Sequence, residues 1–150
     1  MRGKYHLIFT FFFFIDLWLV FGIYIQKHYF TITLTLTGVI FSFFPDIDTN
    51  FKRLGHRNIF THSVLFPEIV YLFSQNFLSL LFVLAVGFHC LCDMRIRKTK
   101  MRGYYTIKFI GVIRLTRLHY KGMNGTKSTV WLFLNFLIAF IQFLVIILIF

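Results

Sequence analysis

Apolar residues run through this chain in five stretches, at about 7–25, 30–44, 63–74, 77–94 and 130–150, separated by short polar breaks and one long basic segment. A helix needs roughly 20 residues to cross bilayer hydrocarbon, so the first and last stretches have the length while the second and third are short. Nearly every position inside the stretches is apolar, which leaves little periodicity to separate helix from strand. Thr31, Thr33, Thr35 and Thr37 even alternate as a strand would. Helix is preferred throughout, because an open strand edge leaves backbone groups unsatisfied in lipid. The pattern predicts an all-α integral membrane bundle of four to five spans, forming one domain over residues 1–150.

Composition sharpens this reading. Hydrophobic residues make up 58% of the chain and include 23 Phe, above the roughly 45–50% of ordinary soluble domains. Residues Met1 to Gly22 have the basic start and apolar core of a cleavable signal, but Asp16 interrupts the core and no small-x-small site follows. The segment is read as a span. The two cysteines, Cys90 and Cys92, are too close in sequence for a mutual disulfide and are expected to be free packing thiols.

Charge sets the expected orientation. Lys and Arg number 16 against 5 Asp and Glu. No nucleic-acid module or aromatic-interleaved basic surface accompanies this excess, so it argues for anionic lipid headgroups or a topology signal and against nucleic acid. If the N-terminus lies on one side of the membrane, alternating spans return Arg2, Lys4, Lys52, Arg53, Arg57 and the ten basic residues from Arg95 to Lys127 to that side. Only Lys27 falls on the other. The bias of short loops then makes the basic side cytoplasmic, which predicts an inner-membrane protein of bacterial type with a cytoplasmic N-terminus.

The same threading collects the candidate chemistry on the cytoplasmic side. Asp46 and Asp48 follow Pro45, and two residues apart in an extended loop they point both carboxylates one way. A helix-ending turn with solvated aspartates is the plain alternative. His89 and Asp93 are four apart and share a helix face, either as two ligands, as a ligand with its orienting partner, or as a simple hydrogen-bonded pair. His62 stands between Thr61 and Ser63, whose hydroxyls can cap the helix and fix the imidazole. His56 and Arg57 lie just before it, and Arg57 has the bidentate fork that suits a phosphate or a lipid headgroup. Glu68 follows Pro67 and can face the bundle as a proton acceptor or as a structural group. His6 sits at the same end of the first span, as an interfacial histidine or as a further neighbour of the site, whereas Asp16 is ten residues deeper. That separation is about 15 Å along a helix. Mixed imidazole and carboxylate donors suit zinc, manganese or iron better than calcium or magnesium, as one ion or two.

Together, Pro45-Asp46-Ile47-Asp48, His56-Arg57, Thr61-His62-Ser63 and His89-x-x-x-Asp93 resemble the signature of the YdjM-like family of predicted membrane-bound metal-dependent hydrolases. The resemblance spans about residues 38–94, more weakly 103–135, and the run Arg95 to Arg102 stands where that family has a Trp-Pro segment. It implies a helical membrane bundle with a metal site at the cytoplasmic face. By position it implies Asp46, Asp48, His62, His89 and Asp93 as ligands, with His56 beside them, and hydrolysis of a phosphoester or related ester of a small molecule or lipid. Arg57 and Glu68 would then serve the chemistry. Two rival expectations are a non-catalytic membrane protein stapled by a structural metal and a small pore-forming, holin-like protein.

Overall fold

The computed structural model describes residues 3–24, 31–50, 57–94, 107–114, 117–123 and 125–149. His56 and the basic run from Arg95 to Arg102 lie outside the described residues. Helix α1 (Gly3–Leu17) continues into a π-helical segment (Trp18–Tyr24), followed by α2 (Ile32–Phe41), a 3-10 helix (Phe44–Asn50), α3 (Leu65–Ser74), α4 (Phe77–Asp93) and α5 (Gly125–Ile149).

Local chemistry explains the breaks. In α2 the Thr35 and Thr37 hydroxyls turn back onto the carbonyls of Thr31 and Thr33, at 3.0 and 2.9 Å. A threonine bonded to the i−4 carbonyl satisfies its polar atom within its own helix, so a strand-like alternation is carried by a helix. Just beyond α2, Pro45 disfavours a regular continuation, and the chain tightens into the 3-10 turn that bears Asp46 and Asp48. The α3–α4 apolar run is split by Gln75, which adopts a left-handed φ of 45° and donates its N–H to the Tyr71 carbonyl. Asn76 then caps α4 by accepting from the Ser79 N–H at 2.8 Å.

Helix α4 is the central element: twelve of its seventeen residues are buried, and it packs against α1, α2, α3 and α5. Its approach to α5 depends on Gly87, where a Cβ would stand 2.6 Å from the Ala139 Cβ. Small residues at such a crossing let two backbones come close, the usual means of packing helices where lipid supplies no hydrophobic drive. A second close approach lies under Phe14, whose ring would meet a Cβ on Gly38 at 2.4 Å. Phe14, Leu81, Leu84 and Phe143 are fully buried between these helices.

Among the described residues, two helices are long and apolar enough to cross a membrane, His6–Ile23 and Gly125–Ile149, with mean hydropathies of 2.1 and 2.9. Only 28% of each window is buried, whereas a core helix of a soluble protein is mostly buried. Of the five expected spans, α2, α3 and α4 are 10, 10 and 17 residues long. The long segment between α4 and α5 contains an addition to the helical plan. Strands β1 (Lys108–Arg114) and β2 (Arg117–Gly122) form an antiparallel hairpin with Val112 opposite His119. Its base is pinned to α5, since the Ile107 N–H donates to Ser128 Oγ at 2.9 Å and the Met123 N–H donates to the Ile107 carbonyl at 2.8 Å.

Candidate metal centre

Three elements converge at the α4 end that carries Asp93. The first turns of α1 supply His6, the 3-10 helix supplies Asp46 and Asp48, and the last turns of α4 supply His89 and Asp93. The loop 57–64 closes over them with Arg57 and His62. The His89 ring centroid lies 4.9 Å from that of His6 and 5.4 Å from that of His62, so three imidazoles surround one point. Two overlapping triads, His6–His89–Asp93 and Asp46–His62–His89, have donor atoms within 4.8 Å of one another.

Each donor is held by a neighbour. Asp48 Oδ2 accepts from the Asn58 N–H at 2.9 Å and from Thr61 Oγ1 at 2.6 Å, and lies 3.3 Å from His62 Nδ1. Asp48 thus orients the ring whose opposite nitrogen, Nε2, lies 3.3 Å from Asp93 Oδ2. Asp93 Oδ1 accepts from Arg57 Nη2 at 2.8 Å and sits 3.2 Å from His6 Nε2. Arg57 adopts a left-handed φ of 68°, a conformation that persists only where surroundings enforce it. The enforcement is visible in the loop: the His62 N–H donates to the Asn58 carbonyl at 2.9 Å, and the Phe60 N–H donates to Asn58 Oδ1 at 3.0 Å. From α5, Trp131 Nε1 donates to the His62 carbonyl at 3.0 Å, and Asn135 Oδ1 accepts from the Val64 N–H at 2.7 Å.

Electrostatically the cluster is rich in anions. Asp46, Asp48 and Asp93 gather around the imidazoles, and among the described contacts the Arg57 guanidinium pairs with Asp93. Burial alone would lower the His62 pKa, but the Asp48 and Asp93 carboxylates outweigh it and raise that pKa above the ordinary histidine value. In the metal-free protein a proton on His62 therefore offsets part of the negative charge.

The donor set also fits a cation. Two buried imidazole atoms, His6 Nδ1 and His89 Nε2, have no hydrogen-bond partner; each such atom left unsatisfied costs about 1–3 kcal/mol. Donor atoms on a tetrahedral ion with bonds of about 2.05 Å stand about 3.3 Å apart. The His62 Nε2–Asp93 Oδ2 and His89 Nε2–Asp46 Oδ1 separations are 3.3 and 3.8 Å.

The expected site residues divide accordingly. Asp46, His62, His89 and Asp93 come together as donors, and Asp48 stands behind His62. Arg57 is buried and bound to Asp93. Glu68 faces α5, where its Oε2 accepts from Gln142 Nε2 at 3.1 Å. Cys90 and Cys92 are free thiols, Cys90 fully buried. His6 joins the cluster from 83 residues before His89; its only signal in the sequence is its position at the same end of an apolar stretch. Trp131 and Asn135 hold the His62 loop and carry no motif at all. No family model, curated protein or solved structure matches the chain.

Proposed function

We propose that this protein is a membrane-embedded hydrolase that uses one or two divalent ions, zinc first among them, to cleave a phosphoester or related ester at the cytoplasmic leaflet. The observation that carries the reading is the buried triad of His6, His89 and Asp93, with unsatisfied atoms on both imidazoles and Asp46 at its edge. Access matters as much as the donors. The side chains of His62, His89 and Asp93 are 0, 2 and 3% exposed, whereas that of Asp46 is 39% exposed. A site closed on every side suits a structural ion, while a catalytic one keeps an open position; the Asp46 side supplies that opening. The motif resemblance to the YdjM-like hydrolases points the same way.

When bound, such an ion supplies Lewis acidity, acidifying water and polarising an ester or phosphoryl oxygen. The chain's own residues do the rest. Asp48 fixes the His62 ring, and Arg57 holds Asp93. Because His89 has a single outward Nε2, the two triads describe either one ion with up to five donors or two ions of which one takes His89. Membrane insertion is supported by α1, α3 and α5, which present Phe9, Phe12, Leu72, Phe73, Ile138 and Leu148 to the outside. An apolar exterior on that scale is foreign to a soluble monomer. The proposed cytoplasmic placement rests on the basic excess of the sequence and the bias of short loops.

The test is elemental mass spectrometry of the detergent-purified protein, wild type beside a His62→Ala, His89→Ala double variant, followed by hydrolysis of chromogenic phosphodiesters and carboxylic esters. One or two equivalents of metal and metal-dependent turnover, both lost in the variant, are expected. Metal without turnover on any ester would replace catalysis with a structural staple. No metal after reconstitution would end the reading.

A further inference from the structure

A cleft of about 560 Å³ opens beside the metal centre, lined by Ile40, Phe41, Phe44, Phe66 and Phe82 with Asp46 at one end. Its size falls within the roughly 300–1,000 Å³ typical of small-molecule sites. The walls come from three helices and the 3-10 turn and are braced against one another. Phe44 stacks on Phe66 at 5.3 Å and meets Phe82 edge-on at 5.1 Å, while Phe41 leans on Phe82 at 4.9 Å. These ring contacts make the cleft an open aromatic trough. Among the described residues its only charged lining group is Asp46.

Asp46 is also the exposed edge of the cluster, 3.8 Å from His89 Nε2 and 39% accessible where the inner donors are shut away. A substrate reaching the cluster from the Asp46 side meets this trough first. Phe44 and Asp46 flank Pro45 within one short 3-10 helix, so a rigid backbone fixes the distance between the trough and the donors. An amphiphile laid here would place its apolar tail on the phenylalanines and its polar head at the metal centre.

From this continuity we infer that the trough binds the acyl chain of a membrane lipid, making the substrate class a lipid ester whose polar head reaches the cluster past Asp46. The inference rests on the hydrolase reading for its catalytic consequence, but the binding of the chain stands independently of turnover. Inside a bilayer the trough gains little from hydrophobic transfer, since it exchanges one apolar contact for another; what it contributes is placement of the head. In water, where a monomeric ester has no such alternative, each fully buried methylene is worth about fourfold in binding.

Two measurements on the full-length protein in nanodiscs test it. In the first, a phosphatidylglycerol analogue with a diazirine in its acyl chain is photolysed and the adducts are mapped by peptide mass spectrometry. Adducts are expected to concentrate on Ile40, Phe44 and Phe66, above those on the exposed outer positions Ile138 and Ile141 of α5, and to fall at least severalfold in Phe66→Ala and in the trough-filling Ile40→Trp. Labelling spread evenly over exposed apolar positions, or unchanged in both variants, would overturn the inference, since the trough would then be ordinary lipid-facing surface. In the second, four-carbon and eight-carbon nitrophenyl esters and phosphodiesters are compared as monomers. The longer chain should be favoured more than about tenfold in kcat/KM, with Phe66→Ala and Ile40→Trp abolishing the preference by lowering the eight-carbon rate at least severalfold more than the four-carbon rate. Equal rates for both chains overturn the substrate assignment. Convergent labelling with no turnover of either chain would refute the hydrolase reading and leave the acyl site standing.

Discussion

Asp48→Asn separates the orienting carboxylate from the donors. Asp48 is 1% exposed, and its Oδ2 accepts from the Asn58 N–H and Thr61 Oγ1 and lies 3.3 Å from His62 Nδ1. The substitution keeps the shape and removes the charge. Hydrogen bonds to a charged acceptor contribute about 1.5–3 kcal/mol and neutral ones about 0.5–1.5 kcal/mol, so weakening the two bonds from Asn58 and Thr61 should destabilise the metal-free fold by about 2–3 kcal/mol. Loss of the partner that orients a ligating imidazole lowers metal affinity about 10–100-fold. The assay is competition for zinc against a chromogenic chelator, wild type beside Asp48→Asn, with thermal melts of both metal-free forms. A loss of 10–100-fold is the expected outcome. An unchanged affinity would refute the link between Asp48 and His62, and a loss beyond about 1,000-fold would make Asp48 a direct ligand instead of an orienting group.

The raised His62 pKa gives a pH dependence of definite sign. Metal must displace a proton that His62 keeps above the ordinary histidine range, so zinc affinity should rise with pH, by up to about tenfold per unit for each proton displaced; isothermal titration at pH 6, 7 and 8 checks this, and a flat profile would contradict it. At the α4–α5 crossing, Gly87→Ala places a Cβ 2.6 Å from that of Ala139 and should destabilise by about 1–3 kcal/mol. Adding Ala139→Gly should restore most of the loss in a detergent melt, and failure of that rescue would move the cause away from this contact.

Much of the site was legible because its chemistry is expensive in apolar surroundings. Asp46, Asp48, His62, His89 and Asp93 stand out in a chain with five acidic residues and six histidines, and carboxylates and imidazoles amid such segments need partners. The i, i+4 spacing of His89 and Asp93 predicts both on one face of a helix, and α4 carries them so. The helical reading of the threonine alternation held for a physical reason too, since Thr35 and Thr37 close on their own helix carbonyls.

Other features had little or no local signal. The polar pair Gln75-Asn76 already marks the break between 63–74 and 77–94 in the sequence, but the left-handed turn at Gln75 and the Asn76 cap on the Ser79 N–H that make it came only from the tertiary structure. Glycines punctuate 103–125, but strand pairing between Lys108–Arg114 and Arg117–Gly122 is a relation between two segments that neither displays alone. The same holds for the roles within the site. Sequence supplies the residue types that can hold a cation, because ligand chemistry belongs to the side chain. Which of them are donors and which hold the donors is a matter of distance: Asp48 behind His62, Arg57 on Asp93, His6 arriving from α1, and Trp131 and Asn135 gripping the His62 loop from α5. Those separations are set by packing around Gly87 and Pro45, and packing is a property of the folded chain as a whole.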